Sequence, residues 1–430
     1  MNYRKRLLEA IPGGAHTYSR GFDQFPENAP DILLRGKGAY VYDDKEKKFL
    51  DYGMGLRSVN IGYAETEIDN AAFAQMSNGN NLTRPSLIEL EAAELMIQTI
   101  DSVEMVKFCK NGSSAVTAAV KLARAYTGRS SVAICNEHPF FSYDDWFIGS
   151  TPIKKGIPES ALGFVKRFNY NDIKSVESLV DEFKNDISCI ILEPATSISP
   201  EANFLQKIRD ICNKNGIVLI FDEMITGFRW HLKGAQYVYG VQPDLSTFGK
   251  AMANGYSVSC VGGRREIMSL GSTEKLGQER TFLLSSTHGG EMSSLGAFVA
   301  TVAFIQKNQV IKHNWDFGSE LIEMMNSQAR EFGVESSFKV FGTPCSPQYV
   351  TLDEFGNISL ELRTVFAQEM INNGVIMPWI SLCYRHGESE MELTRLALKK
   401  SFEIYKKALN SGIDDILKGA VIKPVFRKYN

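Results

Sequence analysis

Two ionisable residues stand at the ends of hydrophobic runs fewer than thirty residues apart. Asp222 lies in Phe221-Asp-Glu-Met-Ile-Thr-Gly-Phe-Arg229, and Lys250 ends Pro243-Asp-Leu-Ser-Thr-Phe-Gly-Lys250. An ionised carboxylate at the end of a buried strand is costly without a cationic partner. Taken alone, such an Asp can be satisfied by loop amides or can cap a helix, and a lone Lys is ordinarily a solvated surface residue. Together, a strand-end Asp and a strand-end Lys suit the clamping of a pyridine ring. The carboxylate pairs with the protonated ring nitrogen and preserves its pull on electrons, while the amine bonds an aldehyde carbon. A lysine used this way must be deprotonated part of the time, so desolvation and the nearby cationic ring are expected to lower its pKa. Freed when substrate binds, it can carry a proton.

A third segment supplies the means to hold an anion. Lys110-Asn111-Gly112-Ser113-Ser114-Ala115 brings small residues and hydroxyls to the start of a helix expected over Ser114–Tyr126. Free N–H groups and the helix dipole favour a phosphate there. The same residues equally describe an ordinary Ser N-cap.

These three segments need a scaffold, and the middle of the chain alternates strand with helix. Ser131–Cys135, Ile187–Leu192 and Gly216–Phe221 are short runs rich in β-branched residues and read as buried strands. The intervening helices are amphipathic. Val116, Ala119, Val120 and Ala123 share one stripe, and Leu205, Ile208 and Ile211 share another within Phe204–Asn213. The pattern predicts an α/β domain, whose ligands bind at the carboxyl ends of the strands.

The flanking regions differ. Residues 1–60 are rich in Gly, Tyr and Arg, with hairpin strands expected at Gly38–Asp43 and Lys48–Tyr52, and read as an arm or lid. After Asn308 come charged helices, Phe317–Phe332 and Leu360–Asn373, separated by short strands such as Gln348–Leu352. The expected organisation is an arm over 1–60 that contributes to the small domain, a large domain over 61–308, and a small α+β domain over 309–430.

Bulk properties bound the partners. At 430 residues and 44% hydrophobic content, two or three packed domains are expected. With 47 basic and 50 acidic residues interspersed, no extended positive field exists for nucleic acid or an anionic membrane surface, so small molecules are the expected partners. Seven cysteines without a CxxC pair argue for a reducing compartment, and six scattered histidines give no zinc signature, so no metal is expected. The basic amino terminus lacks a following apolar core. The longest apolar stretch, Leu295–Ile305, falls short of the ~20 residues of a membrane helix, and a cytoplasmic location is expected.

In order and spacing the chain resembles the class III pyridoxal-phosphate aminotransferases of fold type I, the group that includes glutamate-1-semialdehyde aminomutase. The matching stretches are Pro12-Gly-Gly, Asn111-Gly112-Ser113, Lys121-Leu-Ala-Arg-Ala-Tyr-Thr-Gly-Arg129, Ile191-Leu-Glu-Pro194, Phe221–Arg229, Pro243–Lys250 and Val261-Gly-Gly-Arg264. The likeness covers nearly the whole length. It implies a mainly parallel seven-stranded sheet in the large domain and pyridoxal 5'-phosphate as cofactor. Lys250 would hold that cofactor as a Schiff base, Asp222 would bind the pyridine nitrogen, and Met224 would pack on one ring face. Gly112 and Ser113 would bind the phosphate. Thr287, in Ser285-Ser-Thr-His-Gly-Gly290, matches a threonine that the neighbouring subunit contributes, which implies a homodimer with shared active sites.

Departures from the family pattern fall on the substrate side. The usual aromatic-His-Gly turn is replaced by Glu137-His-Pro-Phe-Phe-Ser-Tyr-Asp-Asp-Trp146, where Phe140 is the candidate to stack on the cofactor and Phe141 the alternative. An acidic residue is replaced by Ser114, and a glycine-rich run by Ala251-Met-Ala-Asn-Gly-Tyr-Ser257. Arg20 matches an arginine that binds the substrate carboxylate, a task that suits a planar guanidinium. Arg57 offers a second anion contact, with an ordinary salt bridge as the alternative for either arginine, and Arg385 follows the expected strand Val375–Met377, where the family often places substrate-facing groups. His16, Tyr18, Glu193 and His288 are weaker candidates. The expected reaction moves an amino group from an amino-acid donor, L-glutamate, to an aldehyde or ketone acceptor bearing a carboxylate. The departures point to the branch acting on sugar acids of bacterial lipopolysaccharide, such as the 8-amino-3,8-dideoxy-octulosonate transaminase. The alternatives are the aminomutase isomerisation and a non-catalytic ligand-binding protein on the same fold.

Overall fold

Three short β-prone runs separated by turns begin the chain's first unit. In the computed structural model, which describes residues 2–138, 140–183, 185–274 and 276–430, they are β1 (Leu33–Lys37), β2 (Tyr40–Asp43) and β3 (Lys48–Asp51). They form an antiparallel meander. Asp43 closes the β2–β3 turn by accepting from the backbone N–H groups of Lys45 and Lys47. The chain divides into two units, one of residues 1–65 with 312–430 and one of residues 66–311.

The second unit is built on seven strands. They are β4 (Met105–Cys109), β5 (Ser131–Cys135), β6 (Val165–Phe168), β7 (Ile187–Leu192), β8 (Val218–Asp222), β9 (Leu245–Phe248) and β10 (Ser259–Gly263), in the order β4-β10-β9-β8-β7-β5-β6. β10 runs antiparallel to both its neighbours, and β9, β8, β7, β5 and β6 are parallel. This is the mainly parallel α/β sheet that the alternating pattern predicts. The strands are apolar throughout because both faces are covered. Val132, Ile134, Cys189, Ile191, Val218 and Ile220 pack with the helix Gly112–Thr127, whereas Ala133, Cys135, Ile190, Leu192, Leu219 and Phe221 pack with the helices Ile173–Phe183 and Phe204–Asn215. Each fully buried Val, Leu, Ile or Phe contributes about 1.5–3 kcal/mol.

The carboxy-terminal part returns to the first unit. β11 (Phe338–Phe341) and β12 (Gln348–Thr351) form a hairpin, and β13 (Val375–Ile376) pairs parallel with β3, Val375 opposite Leu50. The amino-terminal strands and the carboxy-terminal segment therefore share one four-stranded sheet. Its core gathers Leu50, Tyr52, Phe338, Tyr349, Phe366, Phe402 and Tyr405. Among the described residues no helix is long and apolar enough to cross a membrane, and all seven cysteines are buried and none forms a disulfide.

His386 carries a pH dependence in this core. Its ring stacks on Tyr52 at 4.7 Å and on Phe317 at 5.6 Å, and its Nδ1 accepts from the Cys383 N–H at 3.1 Å. Burial pushes its pKa from 6.5 down to about 4. A lowered folded-state value means that the unfolded chain takes up the proton first. The contribution is whole above pH 6.5 and is lost as pH falls toward 4, on the order of 3 kcal/mol in all. His386→Phe is expected to flatten the slope of unfolding free energy between pH 6.5 and 4.5, measured in urea. An unchanged slope would assign the acid lability elsewhere.

Candidate active site

The ends of β8 and β9 bring the sequence-predicted pair together within the second unit. Asp222 lies opposite Thr247 in the ladder. Its Oδ1 accepts from the Met224 N–H at 3.0 Å and from the Thr247 hydroxyl at 2.9 Å. Both bonds fall on one oxygen, which leaves Oδ2 for a further donor. Burial pushes the Asp222 carboxyl up, opposed by the positive charge of Lys250 and then by the two hydrogen bonds. That charge effect places the Lys250 charge near the Asp222 carboxylate.

Lys250 follows the end of β9 in the left-handed region, with φ of +46°. A non-glycine residue there is strained by about 1–3 kcal/mol, and such strain persists where the surroundings fix it. Gly249 shows why they do. A Cβ on it would lie 2.6 Å from Ser259 Oγ and 2.7 Å from Met224 Sδ, so only glycine fits.

The anion turn sits at the other side of Met224. Asn111 is the N-cap of Gly112–Thr127, its side chain accepting from the Ser114 N–H at 2.9 Å. Asn111 rather than a serine is therefore the cap. The Ser113 hydroxyl is buried and accepts from the Tyr143 N–H at 3.3 Å. A Cβ on Gly112 would meet Met224 Sδ at 3.0 Å. One thioether thus touches the anion turn and the residue before Lys250 while following Asp222 by two positions. Three segments distant in sequence converge on it.

Around this centre the aromatic turn divides its labour. Phe141 is buried in the core with Trp146 and Phe147, whereas Phe140 is 44% exposed and meets Phe147 edge to face at 6.1 Å. Of the two candidates for stacking on a ligand, Phe140 is therefore the exposed one and Phe141 the buried one. His138 and Glu193 are buried together, the Glu193 N–H donating to His138 Nδ1 at 3.1 Å. Burial lowers the His138 pKa to about 4, so its ring is neutral at pH 7. Thr287 and His288 are exposed in the loop before the helix Met292–Lys307.

The three candidate arginines all belong to the first unit. Arg20 is exposed and close enough to Asp51 to favour its charge. Arg57 donates to Ser346 Oγ at 2.9 Å and to the Ile380 carbonyl at 3.2 Å, and so is used within the unit. Arg385 holds Glu65 with a two-pronged contact at 2.8–3.0 Å. Of the three, Arg20 has the guanidinium best placed for a ligand. His16 and Tyr18 are exposed near it in sequence.

Sequence reasoning gave no role to several residues that the structure brings forward. Thr247 fixes Asp222, and its place opposite Asp222 becomes legible only once strand register is known. Lys110 does not turn toward the anion site. It pairs with Glu291 at 2.5 Å and donates to Ser294 at 2.9 Å. Burial opposes the Glu291 charge, but the bonds from Lys110 and Ser293 hold its carboxyl at about 2. In the first unit, Met54, Gly55, Leu56 and Arg57 all have φ between +41° and +67°. This left-handed turn carries no glycine-rich signature, and each of its non-glycine residues costs about 1–2 kcal/mol.

A planar cationic ring with a phosphate tail fits the second unit's donor set. Asp222 Oδ2 can take the ring N–H, the first-turn N–H groups and the Ser113 hydroxyl can take the phosphate, and Met224 lies between them. The aminotransferase class-III family profile matches residues 25–378. Glutamate-1-semialdehyde 2,1-aminomutase of Francisella philomiragia subsp. philomiragia is 29% identical over 426 residues, covering 93% of this chain and 96% of that protein. 3-Aminobutyryl-CoA aminotransferase of Cloacimonas acidaminovorans is 31% identical over 425 residues, 95% and 98% of the two chains. Among solved structures, an omega-transaminase from Sphaerobacter thermophilus superposes with a TM-score of 0.85 at 24% identity, over 94% of this chain and 97% of that one. The chain belongs to the class III aminotransferase family and is a pyridoxal-phosphate-dependent enzyme of aminotransferase type.

Proposed function

We propose that the enzyme shifts an amino group on a small carboxylate-bearing substrate, returning it to a neighbouring carbon of the same skeleton as a glutamate-1-semialdehyde-type aminomutase does. The observation that carries the site is the convergence of Asp222, Lys250 and the Gly112–Ser113 turn on Met224. The Francisella relative, similar over nearly its whole length, supports the aminomutase form. When bound, pyridoxal phosphate supplies an aldehyde that takes up the substrate amine and a ring that withdraws electrons from the adjacent carbon. Asp222 would keep that ring protonated, and Lys250 would bond the aldehyde and, when free, move a proton to and from the substrate carbon that bears the nitrogen. Gly112 and Ser113, with Thr287 of a second copy, bind the phosphate, Phe140 and Met224 lie against the ring, and Arg20 takes the substrate carboxylate.

A second reading is transfer from L-glutamate to a separate aldehyde or ketone, which the 3-aminobutyryl-CoA aminotransferase relative favours. Its sugar-acid form drew on the unusual segment from His138 to Trp146 and on Arg57. With Arg57 bonded to Ser346 and Ile380, only the former supports it. Glutamate-1-semialdehyde and L-glutamate distinguish the two readings. An aminomutase converts the first into its amino-shifted isomer with no keto acid released. Steady release of 2-oxoglutarate from L-glutamate in the presence of an acceptor would replace the first reading by the second.

On this reading the site is shared between two copies of the chain. Phe73, Leu87 and Leu90 are more than half exposed on the helices Thr66–Met76 and Leu87–Thr99, an apolar surface that a second copy would cover. Thr287 would then serve the partner's phosphate. Light scattering at micromolar concentration is expected to give twice the chain mass of 48.0 kDa.

A further inference from the structure

The aromatic segment that follows His138 lies against the helix Gly112–Thr127 and is tied to it by more than apolar contact. Phe141, Trp146 and Phe147 pack in one core with Val116 and Val120. Ser113 and Thr117 stand four positions apart and so share a face of that helix. The half-buried Thr117 hydroxyl donates to Asp144 Oδ2, since a carboxylate oxygen can only accept. Having given up its hydrogen, it accepts from the Ser142 hydroxyl at 3.2 Å and from the Trp146 Nε1–H at 3.4 Å. Ser142 Oγ in turn accepts from the Asp144 N–H at 3.1 Å. One hydroxyl thus gathers three side chains of the stretch from Ser142 to Trp146.

The side chain of Asp144 is committed to this contact. It stands at the N-cap of the short helix Asp145–Ile148, where an Asp ordinarily accepts from the first-turn N–H groups of its own helix, and among the described residues it makes no such bond. It is turned to Thr117 instead. Between Ser142 and Asp144, the Tyr143 N–H donates to Ser113 Oγ at 3.3 Å. A serine hydroxyl has one hydrogen, and an oxygen that accepts from the backbone on one side keeps that hydrogen for an acceptor on another. The stretch fixed by Thr117 therefore reaches the anion turn through one backbone donor, and Phe140 lies just before it.

We propose that Thr117 is a positioning residue for the cofactor: its hydroxyl holds the stretch from Phe140 to Trp146 on the helix, so that Phe140 keeps its place for the ring and the Tyr143 N–H leaves the Ser113 hydrogen for the phosphate. The proposal rests on the reading that Ser113 and Phe140 hold pyridoxal phosphate, and Thr117 acts on the cofactor only through them. Thr117→Val removes the hydroxyl at nearly constant volume and leaves the Ser142 and Trp146 donors and the Asp144 carboxylate without this partner.

The test strips the holoenzyme of cofactor and reloads it with pyridoxal 5'-phosphate or with pyridoxal, which lacks the phosphate, reading the visible absorbance and circular dichroism of the bound ring. Thr117→Val should lower the preference for the phosphorylated form by at least about tenfold, the scale of one hydrogen bond to a charged group, and weaken the dichroic band. Thr117→Ser, which keeps the hydroxyl, should restore both. Asp144→Ala removes the acceptor from a half-exposed position and should reproduce the lost preference, which keeps the test open if Thr117→Val does not fold. On a Ser113→Ala background, Thr117→Val should cost no further preference. An unchanged preference in Thr117→Val and Asp144→Ala overturns the proposal, as does an equal loss of affinity for both forms or a loss that persists undiminished on the Ser113→Ala background. Ser113→Ala alone separates the two layers. If it leaves the preference intact, the phosphate reading itself fails, and if it lowers the preference while Thr117→Val does not, only the positioning role fails.

Discussion

Lys250→Ala is expected to lower turnover by on the order of 10³-fold or more, as removal of a nucleophile that also moves the proton does in other enzymes. The visible absorbance that depends on the lysine–cofactor bond should vanish with it. The protein should remain folded, because the residues that fix the turn, Gly249, Ser259 and Met224, are unaltered. Small exogenous amines should restore part of the activity by taking up the proton-moving task. A variant that kept full turnover and the wild-type spectrum would remove Lys250 from the reaction. One electrostatic corollary is measurable without substrate. Lys250 is the largest influence opposing the burial of Asp222, so in the cofactor-free variant the Asp222 carboxyl should titrate at higher pH than in the cofactor-free parent.

Asp222→Asn should reduce turnover by about 10²–10³-fold, the usual scale for a preorganised group that stabilises charge in the reacting species. Asn keeps an oxygen to accept from the Met224 N–H and the Thr247 hydroxyl, so local structure should hold. What it loses is the negative charge that, in the proposed role, would keep a ring nitrogen protonated. Cofactor affinity should fall far less than kcat. Asp222→Ala removes the acceptor as well and leaves the buried Met224 N–H without its partner, at a cost of about 1–3 kcal/mol. Equal losses of kcat and of thermal stability in both variants would mark Asp222 as structural.

The large sheet was legible in the sequence because both its faces are covered, which turns each inner strand into an unbroken apolar run bounded by polar residues. Ser131–Cys135 and Ile187–Leu192 have the same bounds in the structure as in the sequence reading, and the run expected at Gly216 begins two residues later because Gly216 caps the preceding helix in a left-handed conformation. The pairing of β3 with β13 was not legible. It joins residues more than three hundred positions apart through a two-residue strand, too short to carry a period. At the site, Asp222 and Lys250 announced themselves by charge at the end of an apolar run. Residues that act through geometry did not. Arg57 has the composition of an anion contact and is instead hydrogen-bonded inside its own unit, and Asp51, at the end of β3, accepts from the Gly53 and Met54 N–H groups at the start of a left-handed turn that residue type does not reveal. Burial and bonding partners decide such cases, and neither is written in residue type.

The β3–β13 pairing also imposes an order on folding during synthesis. The 66–311 unit is continuous in sequence, so its sheet and both covering layers can assemble as soon as those residues have emerged. The other unit is interrupted. β1, β2 and β3 are made first, yet the edge of β3 stays unpaired until Val375 and Ile376 arrive. At about 5–20 residues per second that interval is on the order of 15–70 seconds. During it, a strand carrying Phe49 and Leu50 presents open hydrogen-bonding groups, the kind of edge that templates misassembly. The chain's early demand for chaperone protection should therefore centre on its first fifty residues, well before the unit that carries Lys250 has finished folding.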